Sequence, residues 1–494
     1  PRSQHSMVYQ PKQSDTTEID LFIGGADPDD IRQSGTLQDC WLLSALSILA
    51  AEENTIEHLF LRHARGSKTN RRMGEKEKEE EEDRIEPHDA SYHMLRFYHA
   101  EKDVWEHIVV DDKIPKESES GKPVYGHSRE PETWVMMIEK AYAKWLRSDS
   151  GYDGLNLGLV TEALVALTGG AATELNIRSP QMSAEARSGK LWRRLVELRK
   201  VGASLGCGSP SGEDSFWDVH GIVQGHAYAI LDLRTVQIPD GGDGSSYRDV
   251  NMLLLRNPWG RNPWDLDPPM WYTEQITSNP DQPWPIRPLD WSPLSPRWNA
   301  NGCEFVRTLL NWNPILDGAT GKFWISLEDF IACYANIFVC RIPSNFKVTL
   351  RDHWSFGLQN ELRSGGVLTS STGHQNPQWC VTCLLPSSLF ITLTQQSAQQ
   401  NTQLKYIMVA LLPNGGGGMT KPLVQKDMED PGFYFSGKPQ RQQQVSMDID
   451  MVQPGKYTIV VCTFDSGCSI NFSLSVYSTI EKSVCQLKRL YYDE

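Results

Sequence analysis

The stretch Gln33–Ala50 reads QSGTLQDCWLLSALSILA, and its second half is the longest apolar run in the chain. Cys40 follows Asp39 directly, and after it Trp41, Leu42, Leu43, Ala45, Leu46, Ile48 and Leu49 are broken only by two serines. A helix that is apolar on every side is a buried one. The stretch therefore predicts a central buried helix with a cysteine at its mouth. A thiol at a helix N-terminus faces unpaired backbone N–H groups and the positive end of the macrodipole, which favour the nucleophilic thiolate.

A cysteine nucleophile needs a histidine to take and return its proton, and the histidine needs an oriented acceptor for its other nitrogen. Residues 221–235, GIVQGHAYAILDLRT, and 250–260, VNMLLLRNPWG, are β-rich runs flanking the turn-rich PDGGDGSSYRD, the pattern of a hairpin. With the turn centred between Pro239 and Gly242, His226 and Asn257 fall at matching distances from it, and strand pairing sets the imidazole beside the carboxamide. Taken singly, a core cysteine, a histidine in a strand and an asparagine before proline are all ordinary packing or turn residues. The three together form the parts of a Cys-His-Asn site.

The blocks DCWLLSAL (39–46), GHAY (225–228) and RNPWG (256–260), in this order and roughly this spacing, resemble the three active-site blocks of the calpain cysteine proteases. EKAYAKW (139–145), TGG (168–170), ASLGCG (203–208) and GKFWISLEDF (321–330) resemble further calpain core segments. The resemblance covers nearly the whole chain apart from the N-terminal tail and one charged insert. It implies an α+β fold, a two-subdomain papain-like core with a cleft, followed by an antiparallel β-sandwich. It also implies that Cys40 is the nucleophile, His226 the general acid/base, Asn257 its orienter, and Trp259 the shield that keeps water from the His–Asn contact.

Two departures from the family pattern stand out. The family has a glutamine followed directly by glycine, whereas here Ser34 separates Gln33 from Gly35, and Gln38 stands two residues before the nucleophile where the family has glycine. Gln33 is the candidate oxyanion donor beside the Cys40 backbone N–H, with Gln38 as the alternate; losing one such donor costs about 10² to 10³ in rate. The second departure concerns Ca²⁺, which the family holds in each core subdomain. Asp30 and Glu162 fall where two carboxylates of the first site belong, and oxygen ligands of that kind suit Ca²⁺. At the second site Arg261, Thr320 and Lys322 stand where acids are expected, so that ion is expected to be lost, with Arg261 or Lys322 taking its place by side-chain pairing.

The 494 residues suit about three domains. The expected division is a tail over 1–25, a first core subdomain over 26–185 carrying Cys40, a second over 186–338 carrying His226 and Asn257, and a sandwich over 339–494. The run GSKTNRRMGEKEKEEEEDRIE at 66–86 has too little apolar surface to join a core and reads as a solvated insert. Strands are predicted over 90–111 and helices over 131–147, 157–167 and 186–201, the first with Pro131 in its opening turn and the last amphipathic. Residues 262–300, dense in Pro and Trp, read as an irregular loop packed by its aromatics, and SLEDF (326–330) as a helix start capped by Ser326. Beyond Arg341, short runs such as WCVTCLL, LFITLTQ and GKYTIVVCTF alternate with turns, as in a β-sandwich.

A formal charge of −14 excludes nucleic acid as a general partner. Ten cysteines with no dense framework read as thiols in a reducing, cytoplasmic setting. The longest apolar run is about half of the roughly 20 residues needed to span a bilayer, so no transmembrane segment is expected, while the sandwich is a candidate for peripheral membrane contact. No EF-hand loop motif occurs, so pairing with an EF-hand small subunit is not expected and a monomer is. The functional expectation is limited proteolysis of flexible protein segments by a Ca²⁺-regulated cysteine endopeptidase. The alternative is a catalytically weak or inactive interaction protein on the same fold.

Overall fold

The structure is a computed structural model that describes residues 20–34, 37–64, 92–100, 102, 104–129, 132–146, 151–213, 216–239, 246–265, 289–299, 304–343, 346–354, 364–395, 404–413, 434–435, 441, 444–468 and 470–490. The tail through residue 19, the charged insert, Gly35 and Thr36, the tip of the hairpin at 240–245 and residues 266–288 lie outside the described residues. The chain forms two compact units, one of residues 1–97, 106–160 and 206–334, the other of residues 98–105, 161–205 and 335–494. Residues of both expected core subdomains meet in the first unit, and Cys40, His226 and Asn257 all belong to it.

In the first unit, helix α1 (Cys40–Ala50) is buried from Trp41 to Ala50 without interruption, as its composition requires. Its serine hydroxyls would be costly there without partners, and they have them: Ser44 Oγ donates to the Ala227 carbonyl at 2.7 Å, and Ser47 Oγ accepts from Arg256 at 2.8 Å. Strand β1 (Ile31–Arg32) leads toward the helix. Strands β2 (Phe60–Ala64), β3 (Tyr92–His99) and β4 (Val104–Asp111) form a three-stranded sheet, and β5 (His127–Ser128) pairs antiparallel with β1. Helix α2 (Trp134–Trp145) starts later than the expected residue 131. Glu132, just before it, has its carboxylate accepting the Ile23 N–H at 2.8 Å.

The hairpin is present. After β6 (Ala171–Asn176), which belongs to the second unit, and β7 (Ser204–Gly208), strands β8 (Ala227–Pro239) and β9 (Tyr247–Arg256) pair antiparallel, with β10 (Lys322–Ser326) on the far side of β9. The register pairs Pro239 with Tyr247, so the turn lies slightly later than the symmetrical placement expected, and a bulge between Ile230 and Asp232 shifts the pairing again. The described part of the Pro/Trp stretch is packed by its aromatics: Trp291 and Trp298, with Trp312 and Trp324, cover Val236, Ile238, Val250 and Met252. The short helix α6 (Glu304–Leu309) follows in sequence order once helices α3 (Val160–Thr168), α4 (Pro180–Arg187) and α5 (Lys190–Lys200) of the other part of the chain are counted. Helix α7 (Leu327–Cys333) is capped by Ser326, whose Oγ accepts the Asp329 N–H at 3.1 Å.

In the second unit, β6 pairs antiparallel with β11 (Asn336–Arg341). Two antiparallel sheets then enclose one core. The first has the order β12 (Val348–Trp354), β19 (Phe472–Ser478), β14 (Ser387–Gln395), β17 (Gln444–Val452). The second has the order β16 (Tyr434–Phe435), β15 (Ile407–Pro413), β18 (Gly455–Thr463), β13 (Gln378–Cys383), β20 (Val484–Leu490). Every second residue turns inward, as in Leu389, Ile391 and Leu393 or Ile407, Val409 and Leu411, and these meet around Trp354 and Trp379. The result is the expected mixed architecture, a helix-and-sheet core with a β-sandwich.

Candidate active site

Gly225 and His226 lead into β8 through a turn only glycine fits. Gly225 has φ +57°, and a Cβ there would lie 2.0 Å from the Gly212 carbonyl oxygen. The His226 backbone is then fixed from both sides, its N–H donating to Ser209 Oγ and its carbonyl accepting the Ser209 N–H, each at 2.9 Å. Asn257 follows the last residue of β9. Its Oδ1 lies 2.9 Å from His226 Nε2 and also accepts the Trp259 backbone N–H at 3.0 Å.

This second bond settles the protonation of the ring. An atom that accepts from a backbone N–H is the carboxamide oxygen, so His226 carries its proton on Nε2 and donates it. Nδ1 is left as the basic nitrogen, buried and without a hydrogen-bond partner among the described residues. Trp259 stands over the pair with its ring 5.3 Å from the imidazole, and the Tyr228 ring meets it edge-on at 5.1 Å. Burial in this apolar setting lowers the His226 pKa to about 4, against which the Asn257 hydrogen bond works in the opposite direction. The resting imidazole at neutral pH is therefore uncharged, the form that accepts a proton.

Cys40 is the first residue of α1 and partly exposed, while every residue after it in the helix is buried. Ser44, one turn on and hence on the same face, bonds to Ala227, the neighbour of His226. The helix mouth and the imidazole are thus tied to one locus. Chemically the arrangement offers a thiol at a helix N-terminus, an uncharged base with a free nitrogen, and an asparagine orienting that base behind a tryptophan.

A family model described as "Calpain family cysteine protease" matches residues 3–273, more than half of the chain. The chain belongs to the calpain family. Among relatives, it is 32% identical over 478 residues to the calpain-type cysteine protease DEK1 of Arabidopsis thaliana, a match covering 93% of this chain and 19% of that protein. It is 27% identical over 474 residues to calpain-14 of Homo sapiens, covering 90% of this chain and 58% of that one. The chain thus spans about a fifth of the length of the plant relative.

The other residues singled out in this calpain chain lie as follows. Gln33 donates its backbone N–H to the Pro258 carbonyl at 3.1 Å, next to Asn257, and its side-chain Nε2 to the Leu37 carbonyl at 3.3 Å. Gln38 is exposed, with its backbone N–H held by Asn156 Oδ1 at 2.9 Å. Asp30 belongs to the first unit and shares a hydrogen bond with Glu132. Burial, together with the Asp30 charge, lifts the Glu132 pKa to about 7, and burial first, then Asp27 and Asp29, raises that of Asp30. Glu162 belongs to the second unit, where burial raises its pKa. Among the described residues no set of three His, Cys, Asp or Glu side chains is arranged to hold a metal ion.

Lys322 Nζ lies 2.7 Å from Asp29 Oδ2 and 3.6 Å from Asp317 Oδ1, Thr320 Oγ1 donates to the Asp317 carbonyl at 2.8 Å, and Arg261 is exposed. The sequence reading missed Arg256, fully buried next to Asn257. It donates to the Ile31 carbonyl at 2.7 Å and to Ser47, and its Nε is 3.6 Å from Asp29 Oδ1. It missed Glu139 too, fully buried in α2 against Asp39, the residue before Cys40. Its Oε1 accepts the Gly126 N–H at 2.9 Å, and burial first, then Asp39, pushes its pKa well up. An arginine ending an apolar strand and a glutamate between Ile138 and Ala141 were the available signals.

Proposed function

We propose that this chain is a cysteine endopeptidase that cleaves flexible protein segments through Cys40, His226 and Asn257. The observation that carries this reading is the buried His226–Asn257 pair, with its tautomer set and Nδ1 unpartnered, tied to the mouth of α1. Nδ1 takes the Cys40 proton as sulfur attacks the peptide carbonyl, and the imidazolium then returns it to the leaving amine, giving a thioester. Water, deprotonated by the same imidazole, hydrolyses the thioester and restores the thiol. The Cys40 backbone N–H with Gln33, or Gln38 in its stead, would stabilise the oxyanion. Trp259 keeps the His–Asn bond dry. Protein substrates, a cytoplasmic setting, a monomer and peripheral membrane contact through the sandwich are parts of the same proposal.

Calcium regulation is proposed at the carboxylates named from the sequence, Asp30 and Glu162. Asp30 shares a hydrogen bond with Glu132 and feels the charges of Asp27 and Asp29, though these acids form no three-ligand set among the described residues. Bound Ca²⁺ would replace that proton and charge both carboxyls. The chemistry near Lys322 is the reverse, because an ammonium already neutralises Asp29 and Asp317. This supports loss of an ion there.

The test is cleavage of an unfolded protein by this chain and by Cys40→Ala, each in millimolar Ca²⁺ and in chelator. Cleavage that needs Cys40 and Ca²⁺ is expected. Cys40-dependent cleavage in chelator would remove the calcium switch and keep the peptidase. No cleavage in any condition would favour the interaction-protein reading, which the Gln33 amide's bond to the Leu37 carbonyl, in the segment altered by Ser34, speaks for.

A further inference from the structure

Two acids are completely buried behind the start of α1. Asp39 is 0% exposed and Glu139 of α2 is 1% exposed, and their side chains share a hydrogen bond. Ionised carboxylates are acceptors only, so a bond between the two requires a proton. The other titratable groups that face Glu139 are the phenols of Tyr125 and Tyr152, stacked on each other at 4.1 Å. None of these groups is a cation, so within this set only a proton can offset a second negative charge.

The fold also indicates which acid holds that proton. Asp39 stands at the N-cap of α1, where the helix dipole favours a carboxylate. An N-cap aspartate ordinarily accepts a backbone N–H of the first turn with its side chain, and Asp39 makes no such bond. Its main-chain carbonyl does so instead, accepting the Leu42 N–H at 2.9 Å and the Leu43 N–H at 3.1 Å. The side chain is committed to Glu139. That partner is fixed in turn, because Glu139 Oε1 accepts the Gly126 N–H at 2.9 Å, and a Cβ at Gly126 would come within 2.7 Å of the same oxygen. An oxygen held by a backbone N–H is the carbonyl oxygen of a neutral carboxyl, which leaves Oε2 as the hydroxyl.

We propose that Glu139 is a positioning residue for Cys40: it keeps its carboxyl proton at neutral pH and donates it to the Asp39 carboxylate, which clamps the turn into α1 and leaves one buried negative charge, not two, beside the thiol. This rests on the cysteine-peptidase reading and adds to it what holds the Cys40 backbone and sets the charge behind it. A second charge there would oppose the dipole that favours the thiolate.

The experiment compares the parent, Glu139→Gln and Glu139→Ala in urea unfolding from about pH 5.5 to about pH 8. It also measures the rate at which iodoacetamide alkylates Cys40 at neutral pH, read peptide by peptide. In the unfolded chain Glu139 ionises as an ordinary glutamate, while the folded pair keeps its proton, so the folded state binds one proton more. The folding constant of the parent is therefore expected to fall about tenfold per pH unit relative to that of Glu139→Gln, whose amide donates to Asp39 at every pH. Alkylation of Cys40 is expected to stay within about threefold of the parent in Glu139→Gln and to drop about tenfold or more in Glu139→Ala, where the turn loses its clamp. Parallel pH dependences of the parent and Glu139→Gln would overturn the shared proton. Unchanged alkylation in Glu139→Ala would overturn the positioning role; should that variant not fold, a tenfold loss in Glu139→Gln would do the same. The expected slope together with no Cys40-dependent cleavage of an unfolded protein would overturn the peptidase reading, and the positioning role with it, while leaving the shared proton in place.

Discussion

Asp29 and Asp30 are sequence neighbours in one short helical turn, Pro28–Asp30, yet they meet opposite electrostatic surroundings. Asp29 lies against two cations that never leave, Lys322 at 2.7 Å and Arg256 at 3.6 Å. Asp30 turns to Glu132, with which it shares a hydrogen bond, and burial with the charges of Asp27 and Asp29 raises its pKa. The difference teaches that a carboxylate's state is decided by the element that packs on it. One side of the turn carries its own counter-charge, and the other faces a second carboxyl.

The largest effect should come from breaking the balanced side. Arg256→Ala removes the cation, a donor to the Ile31 carbonyl and a donor to Ser47, and should lower stability by about 3–5 kcal/mol in urea unfolding. An unchanged midpoint would show that Asp29 needs no fixed partner. Next, His226 supplies a slope against which the acid pair is read. Its pKa is about 4 in the folded chain against an ordinary 6.5, so the unfolded chain binds its proton first as pH falls. Stability is full above pH 6.5 and declines toward pH 4, by about 3 kcal/mol. His226→Gln should remove that decline, and a slope that persists would assign it elsewhere.

Lys322→Glu turns the balanced side into a copy of the acidic one, at a cost of about 2 kcal/mol in chelator because the pair is partly solvated. Millimolar Ca²⁺ should raise the melting temperature of this variant more than that of the parent. Equal responses would rule out Lys322 as a stand-in for an ion. The smallest change is Glu132→Gln. A carboxyl whose folded pKa is raised from 4.5 to about 7 favours the folded state most at low pH and loses that contribution as pH rises through 7. The variant should therefore gain about 1 kcal/mol over the parent between pH 5 and pH 8, after discounting for solvent. No difference between the two melting curves would mean that Glu132 and Asp30 titrate normally.

The residue chemistry of the site was legible to unequal degrees. α1 could be read as buried because no charge interrupts Trp41–Ala50, and a helix with no polar face has one place to go. The His226–Asn257 pair was legible from two β-rich runs about a turn, although the bulge between Ile230 and Asp232 makes their meeting a matter of side chains reaching past the strand ends rather than of direct pairing. That Glu139 meets Asp39 was not legible at all, since nothing along the chain records that two acids from distant segments will be buried together.

What the sequence determined by itself is what depends on neighbours along the chain: the buried helix with Cys40 at its start, the alternating strands of the sandwich, the Ser326 cap and the order of the three site blocks. Periodicity and turn chemistry act over a few residues, so they are written in the chain. The tertiary structure alone decided the tautomer of His226, the burial of Arg256 and Glu139, and the contrast between Asp29 and Asp30. These rest on charges and dipoles brought together from distant segments, where desolvation magnifies each interaction, and no local pattern records which partner arrives.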